Sequence, residues 1–207
     1  SNMEGSADLL VRPKNNIECA IILKTCYICN ILLTISAGKT NLTGSATPNG
    51  GIILSTSLLT KPDISINLIN KEVLSPIGIA LETMRSKVLE LSNRTLYYPV
   101  DPTSRFDAYV GGTLSCNASG FIPGEKGATR HWVKEIEFLL PNGDLVEIKR
   151  NQYISNNGYF SLEYNNKIIK LPVPTYDRPK IKNASGLYSN NNGVVDLIDL
   201  IIGSEGI

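Results

Sequence analysis

Histidine occurs once in this sequence, at His131, and cysteine four times, at Cys19, Cys26, Cys29 and Cys116. Cys26 and Cys29 form a C-x-x-C. No second pair follows, and His131 is far away in sequence, so a complete zinc site lacks its ligands. The pair falls in an apolar, helical pattern, where cysteine packs as a small hydrophobe. No apolar run reaches the ~20 residues that span a bilayer. The richest stretch, Cys19 to Ile35, is broken by Lys24 and Asn30 and reads as a buried helix followed by a strand. Charge of either sign is not in excess: the formal net charge is +1. That offers no field for nucleic acid or an anionic membrane to follow. Neither G-x-G-x-x-G nor a P-loop is present. No secretory signal pattern opens the chain, and Ser1-Asn2-Met3 reads as a cloning remnant before an internal start.

What is present suits a packed core: hydrophobic residues make up 42% of 207. Leu9-Leu10-Val11 is a short strand ended by Arg12-Pro13. Asn15 or Asn16 caps a helix carrying Ile17, Ala20, Ile21 and Ile28. Ile31 to Ile35 reads as a buried strand, and Ile52 to Ser55 as a second. Strand, helix, strand, loop and strand in this order imply a parallel α/β layer. Beyond it, Ile66 to Ile69 and Glu72 to Leu74 form a hairpin around Asn70-Lys71. Ser75-Pro76 opens a helix that runs to about Leu91. Trp132 to Ile148 is a hairpin turning at Asn142-Gly143, where positive φ is needed. Asn151 to Asn192 is rich in Asn, Tyr, Lys and Pro and reads as loop. Val194 to Ile202 is an apolar helix. The fold class is α+β, in two lobes. Residues 1–7 are a disordered start, 8–65 a small parallel-sheet lobe, and 66–207 a larger mixed and antiparallel lobe.

Two long stretches of small residues carry the chemistry, Ser36 to Ser45 and Gly111 to Gly120. Without side-chain bulk, successive backbone N–H groups can converge on an anion such as pyrophosphate. Ser36, Lys39, Thr40, Asn41 and Thr43 add hydroxyl, ammonium and amide donors. Buried donors need partners, which favours ligand contact for these polar residues.

In this order the motifs resemble the FAD-linked oxidases of the vanillyl-alcohol oxidase/p-cresol methylhydroxylase superfamily, and among them the D-lactate and glycolate dehydrogenases. Arg12-Pro13-Lys14 resembles the family's opening turn. Ser36 through Gly44, Pro48 and Gly50-Gly51 resemble its pyrophosphate loop. Asp101-Pro102-Thr103-Ser104 is similar to its D-P-x-S segment. Gly111-Gly112-Thr113 with Asn117-Ala118-Ser119-Gly120 resembles its second FAD loop. Lys126-Gly127-Ala128-Thr129-Arg130 resembles Y-G-x-T-R, Leu140-Pro141-Asn142-Gly143 resembles the L-P-D/N-G hairpin, and Gly203-Ser204-Glu205-Gly206 is G-S-E-G. The resemblance extends over residues 8–207.

It implies a p-cresol-methylhydroxylase-type FAD-binding fold. The cofactor contacts it implies are Ser36, Ala37, Gly38, Lys39, Thr40, Asn41, Leu42, Thr43, Pro48, Asp101, Ser104, Gly111, Gly112, Thr113, Cys116, Asn117, Ser119, Gly120, Gly127, Thr129 and Ile207. The activity implied is oxidation of a small 2-hydroxy acid by hydride transfer to flavin N5. A following cap domain would hold the small-molecule substrate and the catalytic base, so this stretch is expected to be inactive alone. The same scaffold in an enolpyruvyl reductase, or a truncated flavin-binding module without catalysis, stays an alternative. Metal ligands, nucleic-acid partners and an integral membrane segment are not expected, and the electron acceptor is open. The location expected is cytoplasmic, or peripheral to the inner face of a membrane. Departures from the family pattern are Ala37 and Lys39 where relatives have glycine, Lys126 for a tyrosine and Ile207 for a threonine. No histidine lies in the first loop, so non-covalent FAD is expected. His131 reads as structural.

Overall fold

The computed structural model describes residues 4–164, 166–179, 181–184 and 186–206. They cluster into two compact units, Ser1–Thr113 with Leu139–Leu145, and Leu114–Phe138 with Val146–Ile207.

The first unit opens with β1 (Leu9–Val11), α1 (Asn16–Ile28), β2 (Leu33–Ser36) and β3 (Ile52–Ser55). The strands form one sheet in the order β1-β3-β2, all parallel. In register, Leu9 faces Ile52, and Ser36 at the end of β2 faces Ser55 at the end of β3. Helix α1 begins where Asn15 Oδ1 accepts the Glu18 N–H at 2.9 Å, while the Glu18 carboxylate accepts the Lys14 N–H at 2.8 Å. Two donors that the helix itself cannot satisfy are thereby paired. The expectation that this helix and β2 are buried is corrected. Only Cys19 and Cys26 of α1 and Ser36 of β2 are buried, while Ile17, Ile21, Tyr27, Ile28, Leu32 and Ile35 are exposed. The helix is apolar on every side, and a helix can set only one stripe against a sheet.

Strands β4 (Ser65–Asn67) and β5 (Glu72–Leu74) pair antiparallel. Their turn is held by Asn67 Oδ1, which accepts the N–H groups of Ile69 and Asn70. Helix α2 runs over Leu81–Leu91, not from Ser75. The carbonyls of Ile77 and Ile79 already accept the N–H groups of Gly111 and Val110, so residues 75–80 follow a course set by tertiary bonds. Leu81, Met84 and Val110 form this unit's apolar core, with Ile64, Val73, Ile79 and Tyr98 against it. Helix α3 (Val110–Ser115) corrects the loop expected from Gly111 onward. Gly111 permits it: a Cβ there would stand 2.9 Å from Ile77 Cβ.

Strands β6 (Glu135–Leu139) and β7 (Leu145–Lys149) form a two-stranded sheet. Their turn closes through Leu140 N–H to Asp144 O at 2.9 Å, with Gly143 at φ +87°. In the second unit, β8 (Tyr159–Tyr164) and β9 (Lys167–Pro172) form an antiparallel hairpin inside the stretch expected to be loop. Asparagine-rich composition hid it. Phe160 and Leu162 alternate at period two, and Phe160 is 1% exposed. Helix α4 is shorter than expected, Leu197–Ile201, because Asp196 caps it through the Ile198 N–H. Ile148, Phe160, Val173, Val195, Leu197, Ile198 and Ile202 make the second core.

Candidate cofactor-binding site

The first unit places the loop after β2 at the carboxyl ends of parallel strands, the end at which open α/β sheets bind ligands. Ser36 is 1% exposed, and its Oγ has no hydrogen-bond partner; Thr56 Oγ1, just beyond β3, is likewise buried and unpartnered. Thr56 was not among the residues expected from sequence. A hydroxyl directly after a buried strand was the available signal. Next, Gly38 lies so close to the backbone that a Cβ would stand 1.9 Å from Asp107 O. Asp107 is held there because the N–H groups of Asp107 and Ala108 both bond to Ser104 O. The role of the D-P-x-S segment is therefore to bring a turn against the first loop. Gly112 also meets this loop, its absent Cβ falling 3.3 Å from Ala37 Cβ. Ala37, Gly38, Asp107 and Gly112 are thus brought together.

Lys39 takes the left-handed region at φ +57°, where glycine is favoured. Asn41 Nδ2 donates to Ser45 Oγ at 2.6 Å, which closes the loop on itself. Leu42 is 85% exposed, and Thr40 and Thr43 lie in the same loop. Pro48 is placed elsewhere: its carbonyl abuts Gly5, beside the Ser6–Asn49 bridge. Asp101 is half-buried and has a partner. Thr113 donates its hydroxyl to Val110 O at 2.7 Å, so that proton serves α3 and is not offered to a ligand.

The second unit holds two short antiparallel segments. Thr129 N–H bonds Ala118 O and Gly120 N–H bonds Gly127 O, both at 3.0 Å, with Ser119 bridged to Ala128. Gly127 is obligatory, since a Cβ would stand 1.9 Å from Ile122 O. Thr129 donates its hydroxyl to Ala118 O, so it too serves the fold. Asn117 is 0% exposed at φ +46°, a conformation asparagine tolerates. Its Oδ1 accepts the Arg130 N–H at 2.9 Å, which fixes the amide orientation, and its Nδ2 is left without a partner.

Arg130 braces these segments. Its Nε and Nη2 donate to Asp199 O and Ile202 O, and its guanidinium stacks 5.1 Å from the Tyr188 ring centre. Burial pushes its pKa down to about 10, against the opposing pull of Asp199. The G-S-E-G turn closes back through Gly203 N–H to Leu114 O and Glu205 N–H to Ser115 O. Burial and then Glu205 push the Cys116 thiol up, which holds it as a neutral thiol and not a nucleophile. Lys182, unforeseen from sequence, donates its Nζ to Gly120 O. Ile207 lies outside the described residues. No group of three or more His, Cys, Asp or Glu side chains could hold a metal among the described residues, and no helix there is long and apolar enough to cross a membrane.

Small-residue loops with buried polar atoms lacking partners are a setting suited to holding a ligand against the backbone. The chain belongs to the FAD binding domain family, whose model matches residues 7–149. Its architecture is the p-cresol-methylhydroxylase-type FAD-binding fold, a parallel-sheet layer followed by antiparallel elements. It is 31% identical over 125 residues to a D-2-hydroxyglutarate dehydrogenase of Xanthomonas citri pv. viticola, covering 60% of this chain and 26% of that protein. It is 29% identical to a D-lactate dehydrogenase of Anaerostipes hadrus, covering 73% of this chain and 31% of the relative. It is 31% identical to the glycolate oxidase subunit GlcD of Bacillus subtilis, covering 67% and 29%. Among solved structures it is similar in fold to a 6-hydroxy-D-nicotine oxidase from Arthrobacter nicotinovorans. There the TM-score is 0.59 at 14% identity, over 72% of this chain and 31% of the other. The chain thus matches about a quarter to a third of the length of these curated relatives.

Proposed function

We propose that this chain is the FAD-holding part of a flavin-dependent dehydrogenase of a small 2-hydroxy acid. The orphaned polar atoms carry the reading. Ser36 Oγ and Asn117 Nδ2 are buried without partners, one in each loop expected to face FAD. A buried donor left unmade costs about 1–3 kcal/mol, and a ligand that bonds it removes that cost. Backbone N–H groups of the first loop, Lys39 and Thr40 suit a pyrophosphate, and the Asn117–Gly120 and Gly127–Thr129 segments suit the rest of the cofactor.

FAD would supply the two-electron chemistry, while these residues bind and orient it. Attachment is proposed to be non-covalent, because the first loop has no histidine and Cys116 is held as the thiol. The substrate class follows the relatives' names, which share a 2-hydroxy acid: hydroxyglutarate, lactate and glycolate. Substrate selection and the proton-abstracting base are assigned to none of this chain's residues.

The test has two stages. The purified chain is expected to carry or take up FAD, read as flavin absorbance after gel filtration; colourless protein that ignores added FAD overturns the cofactor reading. The chain joined to a substrate domain of the kind the full-length relatives' remaining length would supply is then expected to reduce an electron-accepting dye with D-lactate, D-2-hydroxyglutarate or glycolate. NADPH oxidation without 2-hydroxy-acid turnover would place it with the reductases.

A further inference from the structure

We infer that Lys182, which lies beyond the family-matched residues, is a cofactor-binding cation, directed at an electron-rich oxygen of the bound dinucleotide. The inference rests on the FAD reading above and adds a charged residue to it. Lys182 belongs to a stretch without regular structure and is separated from Gly120 by 62 positions, yet its Nζ donates to Gly120 O at 2.5 Å. Its stem is laid across Gly127: a Cβ on that glycine would stand 2.9 Å from Lys182 Cδ. Both anchor points belong to the pair of segments joined by the Gly120 N–H to Gly127 O bond. The lysine is therefore fixed on this pair of segments at two places, head and stem.

An ammonium has three N–H donors and no acceptor. One is used by Gly120 O, and the group is only half-buried, so the others are available. Asn117, in the same unit, has a fully buried Nδ2 without a partner. A cation fixed on the Gly120–Gly127 pair and the orphaned amide donor of Asn117 both call for an acceptor, and FAD offers two kinds: pyrophosphate oxygens and the carbonyl oxygens of the ring system. Charge-assisted bonds of this type are about twice as strong as neutral ones.

The experiment compares wild type with Lys182→Arg, Lys182→Gln and Lys182→Met in the FAD-reconstituted chain. Lys182→Gln keeps an N–H donor for Gly120 O and removes the charge, so it separates a cation from a strut. Expected results are a loss of FAD affinity of at least tenfold in the Gln and Met variants, with Arg within about threefold of wild type. The salt dependence of FAD binding should flatten in Gln as it does in Met. Titration with ADP and with riboflavin locates the acceptor: a loss confined to ADP places the cation on the pyrophosphate, and one confined to riboflavin places it on the ring. Lys182→Gln binding FAD within twofold of wild type, with the same salt slope, overturns the inference even where Lys182→Met is destabilised. Wild-type protein that leaves FAD unbound overturns the FAD reading itself and this inference with it.

Discussion

Asn117→Ala is the substitution whose effects the structure separates most cleanly. In the free protein it does three things. It removes the Oδ1 acceptor of the buried Arg130 N–H, which leaves that donor unsatisfied at a cost of about 1–3 kcal/mol. It places a residue other than asparagine at φ +46°, worth roughly 1–2 kcal/mol. It also deletes the orphaned Nδ2, which returns about 1–3 kcal/mol. One gain cancels one loss, so the free protein is expected to lose about 1–2 kcal/mol, measured by urea unfolding. The holoprotein is expected to lose in addition the bond proposed between FAD and Nδ2. A bond to a charged or strongly polarised acceptor is worth about 1.5–3 kcal/mol, and 1.4 kcal/mol is tenfold in affinity. FAD binding, followed by flavin fluorescence, is expected to weaken between about tenfold and a hundredfold. Asn117→Asp is the partner variant: it keeps an oxygen for the Arg130 N–H and lacks the donor, so it should lose FAD affinity at least as strongly. If Asn117→Ala is destabilised while its FAD affinity stays within twofold of wild type, the orphaned amide has no cofactor role and the reasoning fails.

Lys39→Gly should raise the stability of the free chain by about 1 kcal/mol in urea unfolding, because Lys39 occupies a left-handed conformation at φ +57° that costs roughly that much. Phe160→Ala should cost about 3–5 kcal/mol, since Phe160 is 1% exposed in the core that joins the β8–β9 hairpin to α4; thermal unfolding of the variant checks it. Stability should fall as pH climbs past the ordinary thiol range, ~8.5. Burial raises the pKa values of Cys19, Cys26 and Cys116, so in this window the folded state holds protons that the unfolded chain gives up. Replacing Cys116 by serine should flatten part of that slope in urea midpoints taken at a series of pH values.

The parallel layer was legible in the sequence because its signals are local. Asn15 before an apolar helix, an apolar strand on each side of it, and the apolar run from Ile52 each determine a few neighbouring residues. The failures were non-local. Residues 75–80 read as the start of a helix, but the carbonyls of Ile77 and Ile79 are claimed by Gly111 and Val110. Gly111 to Ser115 reads as loop by glycine content, but the same two bonds and the fit against Ile77 make it helix. The β8–β9 hairpin was obscured because asparagines flank it, while its period-two pattern is only six residues per strand. Lys182 was out of reach for the same reason as residues 75–80. Nothing near it in sequence indicates Gly120 as its partner.

The glycines and the polar residues of the two loops carry different weight. Gly38, Gly127 and Gly203 are each accounted for by the protein itself: a Cβ would strike Asp107 O, Ile122 O or the Arg130 guanidinium. A chain that had lost its cofactor would still need them to fold. Motifs made of glycine therefore report the architecture, which is why a family is recognisable at 31% identity. Thr113 and Thr129 fall on the same side, because their hydroxyl protons are donated to backbone carbonyls. Ser36 and Asn117 do not. Packing gains nothing from a buried hydroxyl or amide donor without a partner, and an apolar residue of similar size would relieve the cost. A bound cofactor is the partner proposed for both. The cofactor reading is thus tested at Ser36 and Asn117, while substitution of the glycines tests only whether the scaffold still forms.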